Sequence, residues 1–250
     1  MYLRLLVAYD GTDFSGFQKQ PGQRTVQGEL ERHLSQLLGP GKVKGASRTD
    51  AGVHAWGQVV VWTGSVPIPL DKLTTVLNHR LPSDLSVRAV RWVPETFRPI
   101  QDAQAKYYSY RVWIADFVPW PGQARYVAVM EQPLSWGILT RAADTIRGRH
   151  DFRAFRSEGS SAQTTTRHVF QSRWVMEQHG LIWRYDIGAD GFLYRMVRHL
   201  VGAMMFCAKT GDLSILYEGL ENPHGDKIGL VAPAKGLILK RIDYGDMGTE

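Results

Sequence analysis

The chain contains one cysteine, Cys207, among its 250 residues. A single cysteine cannot form an intrachain disulfide and cannot supply the several thiolates of a cysteine-based zinc site. No apolar run approaches the roughly 18 residues that a membrane-spanning helix needs, and the first ten residues are too short and too strand-like for a signal peptide. These absences predict a protein of the reducing cytoplasm without a membrane segment.

The usual cofactor and metal motifs are missing as well. The sequence has no Walker A spacing, no GxGxxG run and no HExxH pair, which are the patterns of phosphate loops, dinucleotide folds and zinc proteases. The run Gly45–Thr49 starts like a nucleophile elbow, but Thr49 stands where the second glycine is required. We therefore expect neither a nucleotide cofactor nor a metal ion.

Basic residues are in moderate excess, and most of them are arginine. Lys and Arg number 30 against 24 Asp and Glu, which gives a net charge of +6. Arginine makes bidentate contacts to phosphate and stacks on bases, whereas lysine does so poorly. The composition favours nucleic-acid binding, although many basic proteins bind nothing anionic.

The pattern of apolar residues predicts the same order of elements twice. In the first half, period-two alternation and helical stripes predict elements at 2–9 (strand), 25–38 (helix), 42–46 (strand), 58–62 (strand), 70–81 (helix) and 85–93 (strand). In the second half, the same criteria predict elements at 105–114 (strand), 134–146 (helix), 167–176 (strand), 181–187 (strand), 192–207 (helix) and 237–244 (strand). Each half therefore has the order βαββαβ.

This order predicts an α+β fold with two tandem ferredoxin-like halves, each an antiparallel sheet with helices on one face. The first half spans residues 1–98 and the second spans 103–245, with the boundary in the Pro- and charge-bearing stretch 94–102. The composition of residues 116–133 predicts a long loop or insertion, and that of residues 159–166 predicts a polar loop.

A polar run, Gly45–Ala55, lies between two predicted strands of the first half. It contains one carboxylate, Asp50, and an arginine, Arg48, two residues before it. Such a loop could present an ionised nucleophile while the arginine binds phosphate. It could equally be a tight connection in which Asp50 caps a turn and Arg48 is solvated.

Two further clusters lie in the second half. Alternation places Tyr108 and Tyr110 on one face of a strand and Tyr107 on the other, where they could stack on a base or pack in a core. Arg195 and Arg198 are i,i+3 neighbours on an otherwise apolar predicted helix, where charged side chains need partners or a solvent-facing edge.

Six runs occur in order along nearly the whole chain: YDGTDFSGFQ at 9–18, VQGELE at 26–31, RTDAGVH at 48–54, LNHRLP at 77–82, FLYRMVRHLVG at 192–202 and APAKGL at 232–237. Together they resemble the tRNA pseudouridine synthase A family, which isomerises uridines at positions 38 to 40 of the tRNA anticodon stem-loop. The resemblance implies two α/β halves with a basic cleft between them, usually in a homodimer, and a reaction that consumes no cofactor.

The resemblance also implies roles for individual residues. Asp50 corresponds to the nucleophile, Arg198 to the arginine that pairs with it, and Tyr108 to the tyrosine beside the target base, a candidate to assist proton removal. Leu237 corresponds to an apolar contact on the target uracil. Arg48 corresponds to a residue that faces RNA.

Further arginines are expected to hold the tRNA backbone, setting register rather than reading sequence; they are Arg98, Arg153, Arg156 and Arg167. The chain departs from the family pattern at Ser47, where glycine is common, at Ile100, where an arginine is common, and at Ile238, where tyrosine is frequent. Arg98 is a candidate to replace the arginine missing at Ile100.

Two alternative functions compete with this interpretation. The order βαββαβ is also that of RNA-recognition modules, but neither 58–62 nor 181–187 has the aromatic pattern of their central strand. A nucleoside or glycoside hydrolase would generally need two carboxylates, and Asp50 has no obvious second acid in its motif.

Overall fold

A computed structural model of the chain describes residues 1–130, 134–159, 163–225 and 227–245. The chain has a mixed α/β fold and divides into two compact units. Unit 1 comprises Met1–Gln104 and the residues from Ile238 onward, and unit 2 comprises Ala105–Leu237.

The first 104 residues form the six elements that the sequence predicts for the first half. These are β1 (Tyr2–Tyr9), α1 (Val26–Leu38), β2 (Val43–Gly45), β3 (His54–Trp62), α2 (Leu70–Asn78) and β4 (Leu85–Val93). Their order, βαββαβ, is confirmed. The strand β3 starts four residues earlier than predicted, so the end of the RTDAGVH run forms its first residue.

The strand β1 lies between β3 and β4 and is antiparallel to both, with Leu3 opposite Trp62 and Tyr2 opposite Val93. Leu3, Leu5 and Val7 alternate along β1 and are fully buried, as period-two patterning requires. The short strand β2 pairs with the last residues of β3. Helix α1 packs against β2 and helix α2 against β4.

Helix α1 begins where the sequence predicts. The side chain of Thr25 accepts a hydrogen bond from the backbone N–H of Gly28, which satisfies one of the donors that a helix leaves open at its start. Leu30 and Leu34 on the same stripe are buried. The chain leaves the helix at Gly39, whose φ of +95° suits a residue without a Cβ.

Unit 2 contains more elements than the sequence predicts. They are β5 (Ala105–Trp113), α3 (Pro121–Ala124), β6 (Ala128–Val129), α4 (Trp136–Thr145), β7 (Gly148–Asp151), β8 (Thr166–Glu177), β9 (Ile182–Ala189), α5 (Met196–Thr210) and α6 (Ser214–Glu221). Its sheet has the order β5-β9-β8-β7, and β6 pairs with β5. The predicted β8–β9 hairpin is confirmed. Helix α4 packs against β8 and α5.

Four elements of unit 2 were not predicted. The stretch 116–133, expected to be a loop, contains α3 and β6, and its residues 131–133 lie outside the described residues. The strand β7 and the helix α6 are too short to show a clear period. Of the polar loop predicted at 159–166, residues 160–162 also lie outside the described residues.

The last strand, β10 (Leu237–Asp243), pairs with the first half of the chain rather than closing the second unit by itself. It runs parallel to β3, with Ile238 opposite His54 and Leu239 opposite Ala55. The residues from Ile238 onward accordingly belong to unit 1, whereas the sequence analysis assigned them to residues 103–245. Sequence order does not reveal this pairing, because parallel neighbours require a long connection. Two predictions remain predictions: that the two halves are equivalent ferredoxin-like units, and that a basic cleft lies between them.

Within the described part of the chain, no helix is both long and apolar enough to cross a membrane.

Candidate active site

The predicted site residues divide between the two units, so each group is described within its own unit. Asp50, Arg48 and Arg98 lie in unit 1, whereas Tyr108 and Arg198 lie in unit 2.

Asp50 lies on the loop between β2 and β3 and is half-buried. The loop is a tight turn: the N–H of Val53 donates to the carbonyl oxygen of Asp50 over 3.2 Å, and Gly52 has a φ of +77°. A glycine adopts that backbone conformation at little cost. The turn therefore gives Asp50 one defined position at the start of β3.

The residue before Asp50 is held by the segment that follows β1. The hydroxyl of Tyr9 lies 2.8 Å from the hydroxyl of Thr49, in a buried hydrogen bond. The N–H of Phe17 donates to the carbonyl oxygen of Thr49 over 3.0 Å. The YDGTDFSGFQ run thus positions the RTDAGVH loop, which explains why these two separated runs occur together.

Two glycines of that segment approach the loop closely. A Cβ on Gly11 would lie 2.0 Å from the carbonyl oxygen of Val53, and one on Gly16 would lie 2.9 Å from that of Thr49. Gly16 also has a φ of +90°. Only glycine fits at these two positions without a shift of the backbone around Asp50.

A buried glutamine on β3 holds the start of the loop. Gln58 accepts a hydrogen bond from the N–H of Ser47 (3.2 Å) and donates to the carbonyl oxygen of Ser47 (2.7 Å). Its side chain is fully buried. Gln58 is not among the residues predicted from the sequence, although one polar residue directly before the apolar run Val59–Trp62 is a usable signal.

In unit 2, Tyr108 lies on β5 and is buried. Its ring packs edge-on against Phe192, with ring centroids 5.0 Å apart and an interplanar angle of 84°. Tyr107 faces the other side of the strand and packs against Phe170. The alternation predicted for these tyrosines is confirmed.

Tyr110 connects β5 to the segment that leads into β10. Its hydroxyl donates to the carbonyl oxygen of Pro233 over 2.8 Å. Burial raises the pKa of Tyr110, with the positive charge of Arg198 opposing that shift, so the phenol keeps the proton that this hydrogen bond needs. A Cβ on Gly236 would lie 2.7 Å from the Tyr110 ring. Leu237, the next residue, is buried.

Arg198 binds the same segment from helix α5. Its Nε donates to the carbonyl oxygen of Ala232 over 2.8 Å, and the N–H of Ala232 donates to the carbonyl oxygen of Arg198 over 3.0 Å. The structure thus brings Arg198, Tyr110 and the residues preceding Leu237 together around residues 232–236.

Helix α5 starts later than predicted, at Met196. Arg195 precedes it with a φ of +59°, a left-handed conformation that is uncommon outside glycine. The guanidinium of Arg195 lies over the Tyr194 ring at 4.9 Å. The prediction that Arg195 and Arg198 lie on one helix as i,i+3 neighbours is therefore wrong, because Arg195 is the N-cap residue in a left-handed conformation and only Arg198 lies within α5.

The three other candidate arginines of unit 2, Arg153, Arg156 and Arg167, are half-buried. Nη1 of Arg153 lies 3.2 Å from Nδ1 of His224, and its Nε lies 3.9 Å from the carboxylate of Asp151. Arg156 lies three residues further along the same loop.

Arg167, at the start of β8, donates to the carbonyl oxygens of Thr164 (3.0 Å) and Thr166 (2.6 Å). Burial lowers the pKa of Arg167, and the carboxylate of Asp190 opposes that shift. Its guanidinium is therefore held close to the backbone of its own strand.

In unit 1, Arg48 and Arg98 are exposed and line the same cleft, together with Ile100. The described residues contain no group of three or more His, Cys, Asp or Glu side chains that could hold a metal ion.

Comparison with known proteins gives matches over nearly the full length. A sequence model described as tRNA pseudouridine synthase matches residues 5–100 and 142–245. A protein named tRNA pseudouridine synthase A from Brevibacillus brevis is 39% identical over 247 residues, covering 97% of this chain and 99% of the relative. One of the same name from Syntrophomonas wolfei is 36% identical over 248 residues, covering 97% of both.

Proposed function

Because the chain belongs to the tRNA pseudouridine synthase family, and is thus an isomerase that converts uridine in tRNA to pseudouridine, we propose that its targets are the uridines at positions 38, 39 and 40 of the anticodon stem-loop. The observation that carries this proposal is the full-length match, which includes an Asp50 loop held by hydrogen bonds at Ser47, Thr49 and Val53.

The reaction breaks the bond from the ribose C1′ to uracil N1 and forms a bond from C1′ to C5. A proton leaves C5 and N1 gains one, so the atoms balance and nothing is oxidised or reduced. A base inside a stem must first leave the stack, which costs a few kcal/mol. Contacts to the RNA backbone and to the extruded base offset that cost.

Asp50 is the nucleophile in this proposal. Its loop supports the role, because hydrogen bonds hold Thr49 and the carbonyl oxygen of Asp50 itself, and a side chain on Gly11 or Gly16 would displace the backbone there. Fixed geometry is what a nucleophile requires, since small misplacements cost large factors in rate. Arg198 is its proposed charge partner, and a nearby guanidinium favours the ionised carboxylate.

Tyr108 is the proposed stacking partner of the target base and a candidate to assist removal of the C5 proton. Its ring is held in place by Phe192, which suits a stacking role. Leu237 is the proposed apolar contact on the uracil, and the hydrogen bonds around residues 232–236 fix the chain just before it.

The tRNA backbone is held in this proposal by arginines of both units: Arg48, Arg98, Arg153, Arg156 and Arg167. The finer parts of the proposal include a homodimer, which the family resemblance implies. Light scattering on the purified protein should then give twice the mass of the chain.

Tritium release tests the function directly. Incubation with unmodified tRNA labelled at uridine C5 should release tritium and leave the polynucleotide intact. A hydrolase would instead free uracil, and a binding protein would do neither. Three tRNAs with a single labelled uridine at 38, 39 or 40 should each release tritium, and a tRNA labelled only elsewhere should not.

Asp50→Asn should lower the rate of tritium release at least about a thousandfold, because the amide cannot act as a nucleophile. Asp71→Asn, at an exposed position in the first turn of α2, removes the same charge and should leave the rate unchanged. Full release by Asp50→Asn would overturn the assignment of the nucleophile.

A further inference from the structure

A cleft of about 540 Å³ opens in unit 1 beside the Asp50 loop. Residues of β2 and the 97–101 segment line it, together with residues from the ends of β1 and β3. We call it the Lys44 cleft after the lysine of β2 that lines it. Its volume lies within the range of small-ligand sites and is large enough for one nucleotide.

The lining of the Lys44 cleft is strongly cationic. Lys44, Arg48 and Arg98 all line it, and all three are exposed. None of their side chains makes an ion pair within the described ranges of the chain. The one carboxylate in the lining, Glu95, lies 2.8 Å from the amino group of Met1, which lowers the pKa of Glu95.

The wall that carries Arg98 is firmly anchored. The backbone N–H of Arg98 donates to Asp102 over 2.8 Å, and the hydroxyl of Tyr244 donates to the carbonyl oxygen of Pro99 over 2.7 Å in a buried hydrogen bond. Phe97 packs on the Tyr244 ring, with centroids 5.0 Å apart. The cleft is therefore a preformed feature rather than a gap between loose loops, and a preformed site binds at lower entropic cost.

The other lining residues suit a nucleotide better than an isolated phosphate. Gln18 and Gln101 bring exposed amides to the cleft, and Tyr2 brings a partly exposed ring. Amides can hydrogen-bond to base edges and an aromatic ring can stack on a base, while the cations bind the phosphate.

We propose that the Lys44 cleft binds a backbone phosphate and the adjoining nucleotide of tRNA, outside the uridine that reacts, with Lys44 as a phosphate ligand. The inference rests on the proposed function, since it takes tRNA as the substrate. Arg48 joins the cleft to the chemistry, because Thr49, which the hydrogen bond to Tyr9 fixes, is the only residue between it and Asp50. A phosphate held at Arg48 would therefore set the register of the RNA next to the catalytic loop.

A matched pair of lysine variants tests the proposal. Lys44→Gln removes a charge from the lining, and Lys42→Gln removes the same charge from an exposed position two residues away that does not line the cleft. Lys44→Gln should weaken tRNA binding about three- to tenfold at low salt and reduce the salt slope by about 1, whereas Lys42→Gln should change neither. The kcat at saturating tRNA should stay unchanged in Lys42→Gln.

Equal effects of the two variants on affinity and salt slope would overturn the proposal, because they would reflect general charge rather than a site. The proposed function is tested by tritium release from the wild type alone. If the wild type and both variants release tritium but the two variants bind tRNA equally, the proposal for the cleft fails and the proposed function does not. A third arm uses uridine monophosphate as competitor at constant ionic strength. Competition with tRNA that the wild type shows and that Lys44→Gln abolishes would support the proposal, because the nucleotide displaces tRNA only from a site that tRNA occupies.

Discussion

Gly11 and Gly16 hold the segment after β1 against the loop that carries Asp50. Neither residue has any chemical function of its own, yet each occupies a position where a Cβ would meet backbone atoms at 2.0 Å and 2.9 Å. Their role is to allow close approach, and the hydrogen bond from Phe17 to Thr49 depends on it.

Gly11→Ala should therefore destabilise the protein by about 2–3 kcal/mol, since the new methyl group overlaps a carbonyl group that belongs to the backbone and cannot rotate away. Urea unfolding measures the loss. Tritium release should fall as well, because the displaced carbonyl belongs to Val53 on the Asp50 loop. Gly122→Ala is the control, since no atom lies within 4 Å of its added Cβ.

Buried polar side chains act in the same way at the ends of these loops. Gln58 binds the backbone of Ser47 twice, and Tyr9 binds Thr49. A buried polar group without a partner would cost about 1–3 kcal/mol, so these residues are paired and fix the loop as a consequence. At Gln58 and at Tyr9, the same hydrogen bonds contribute to the free energy of unfolding and hold the loop that carries Asp50.

At the scale of elements, helix α5 joins the loop at 152–157 to the segment at 228–232. Nδ1 of His199 lies 2.8 Å from the carbonyl oxygen of Ile228, and Nε2 lies 3.0 Å from the hydroxyl of Ser157. A carbonyl only accepts, so Nδ1 carries a proton, and in the neutral ring Nε2 accepts from Ser157. The N–H of Ile228 in turn donates to Ala154 over 3.1 Å.

These hydrogen bonds make His199 a positioning residue for the loop that carries Arg153 and Arg156. His199→Asn keeps a donor near Nδ1 and loses Nε2, and Ser157→Ala loses the hydroxyl. Each should raise the KM for tRNA several-fold with little change in kcat, because the loop moves while Asp50 does not. The double variant should be no worse than either single variant, as expected for one shared interaction.

Steady-state kinetics on the three variants, with Arg156→Ala for comparison, measures this coupling. Additive increases in KM would contradict a shared interaction. An unchanged KM in His199→Asn, with a raised KM in Arg156→Ala, would show that the loop binds tRNA without help from His199.

For the whole molecule, the free energy of unfolding should depend on pH through Lys106, a half-buried lysine on β5. Burial, with a smaller contribution from the charge of Arg167, lowers the pKa of Lys106 from 10.5 to about 8. Between these two pH values the unfolded chain holds a proton that the folded chain has lost, so stability contributed by Lys106 rises with pH through this window.

The difference in unfolding free energy between the wild type and Lys106→Met should therefore move in favour of the wild type from pH 7 to pH 10, on the order of 2 kcal/mol. Urea unfolding at both pH values measures it, and the comparison removes contributions that both proteins share, such as those of Cys207 and the buried tyrosines. Lys72→Met, at an exposed position, controls for the loss of a charge. A difference that does not change with pH would contradict the lowered pKa of Lys106.

Local pattern predicted most elements of the first 104 residues, because their information is local. The alternation of Leu3, Leu5 and Val7 and the Thr25 cap act within a few residues, and both are present in the structure. The β8–β9 hairpin is local in the same sense. Where an element depends on one residue's backbone conformation, as at Arg195, the pattern placed the helix start four residues too early.

The sequence by itself determined the family, the order of the first six elements and the loop that carries Asp50, since these follow from runs of neighbouring residues. Only the tertiary structure decided that β10 pairs with β3, that Gln58 and His199 fix loops distant in sequence, and that Lys44 lines the same cleft as Arg98. The physical reason is that these contacts join residues separated by many positions along the chain. Periodicity does not indicate which distant segments of backbone come into contact. Those contacts are determined by packing and by the pairing of hydrogen-bonding groups in the folded chain.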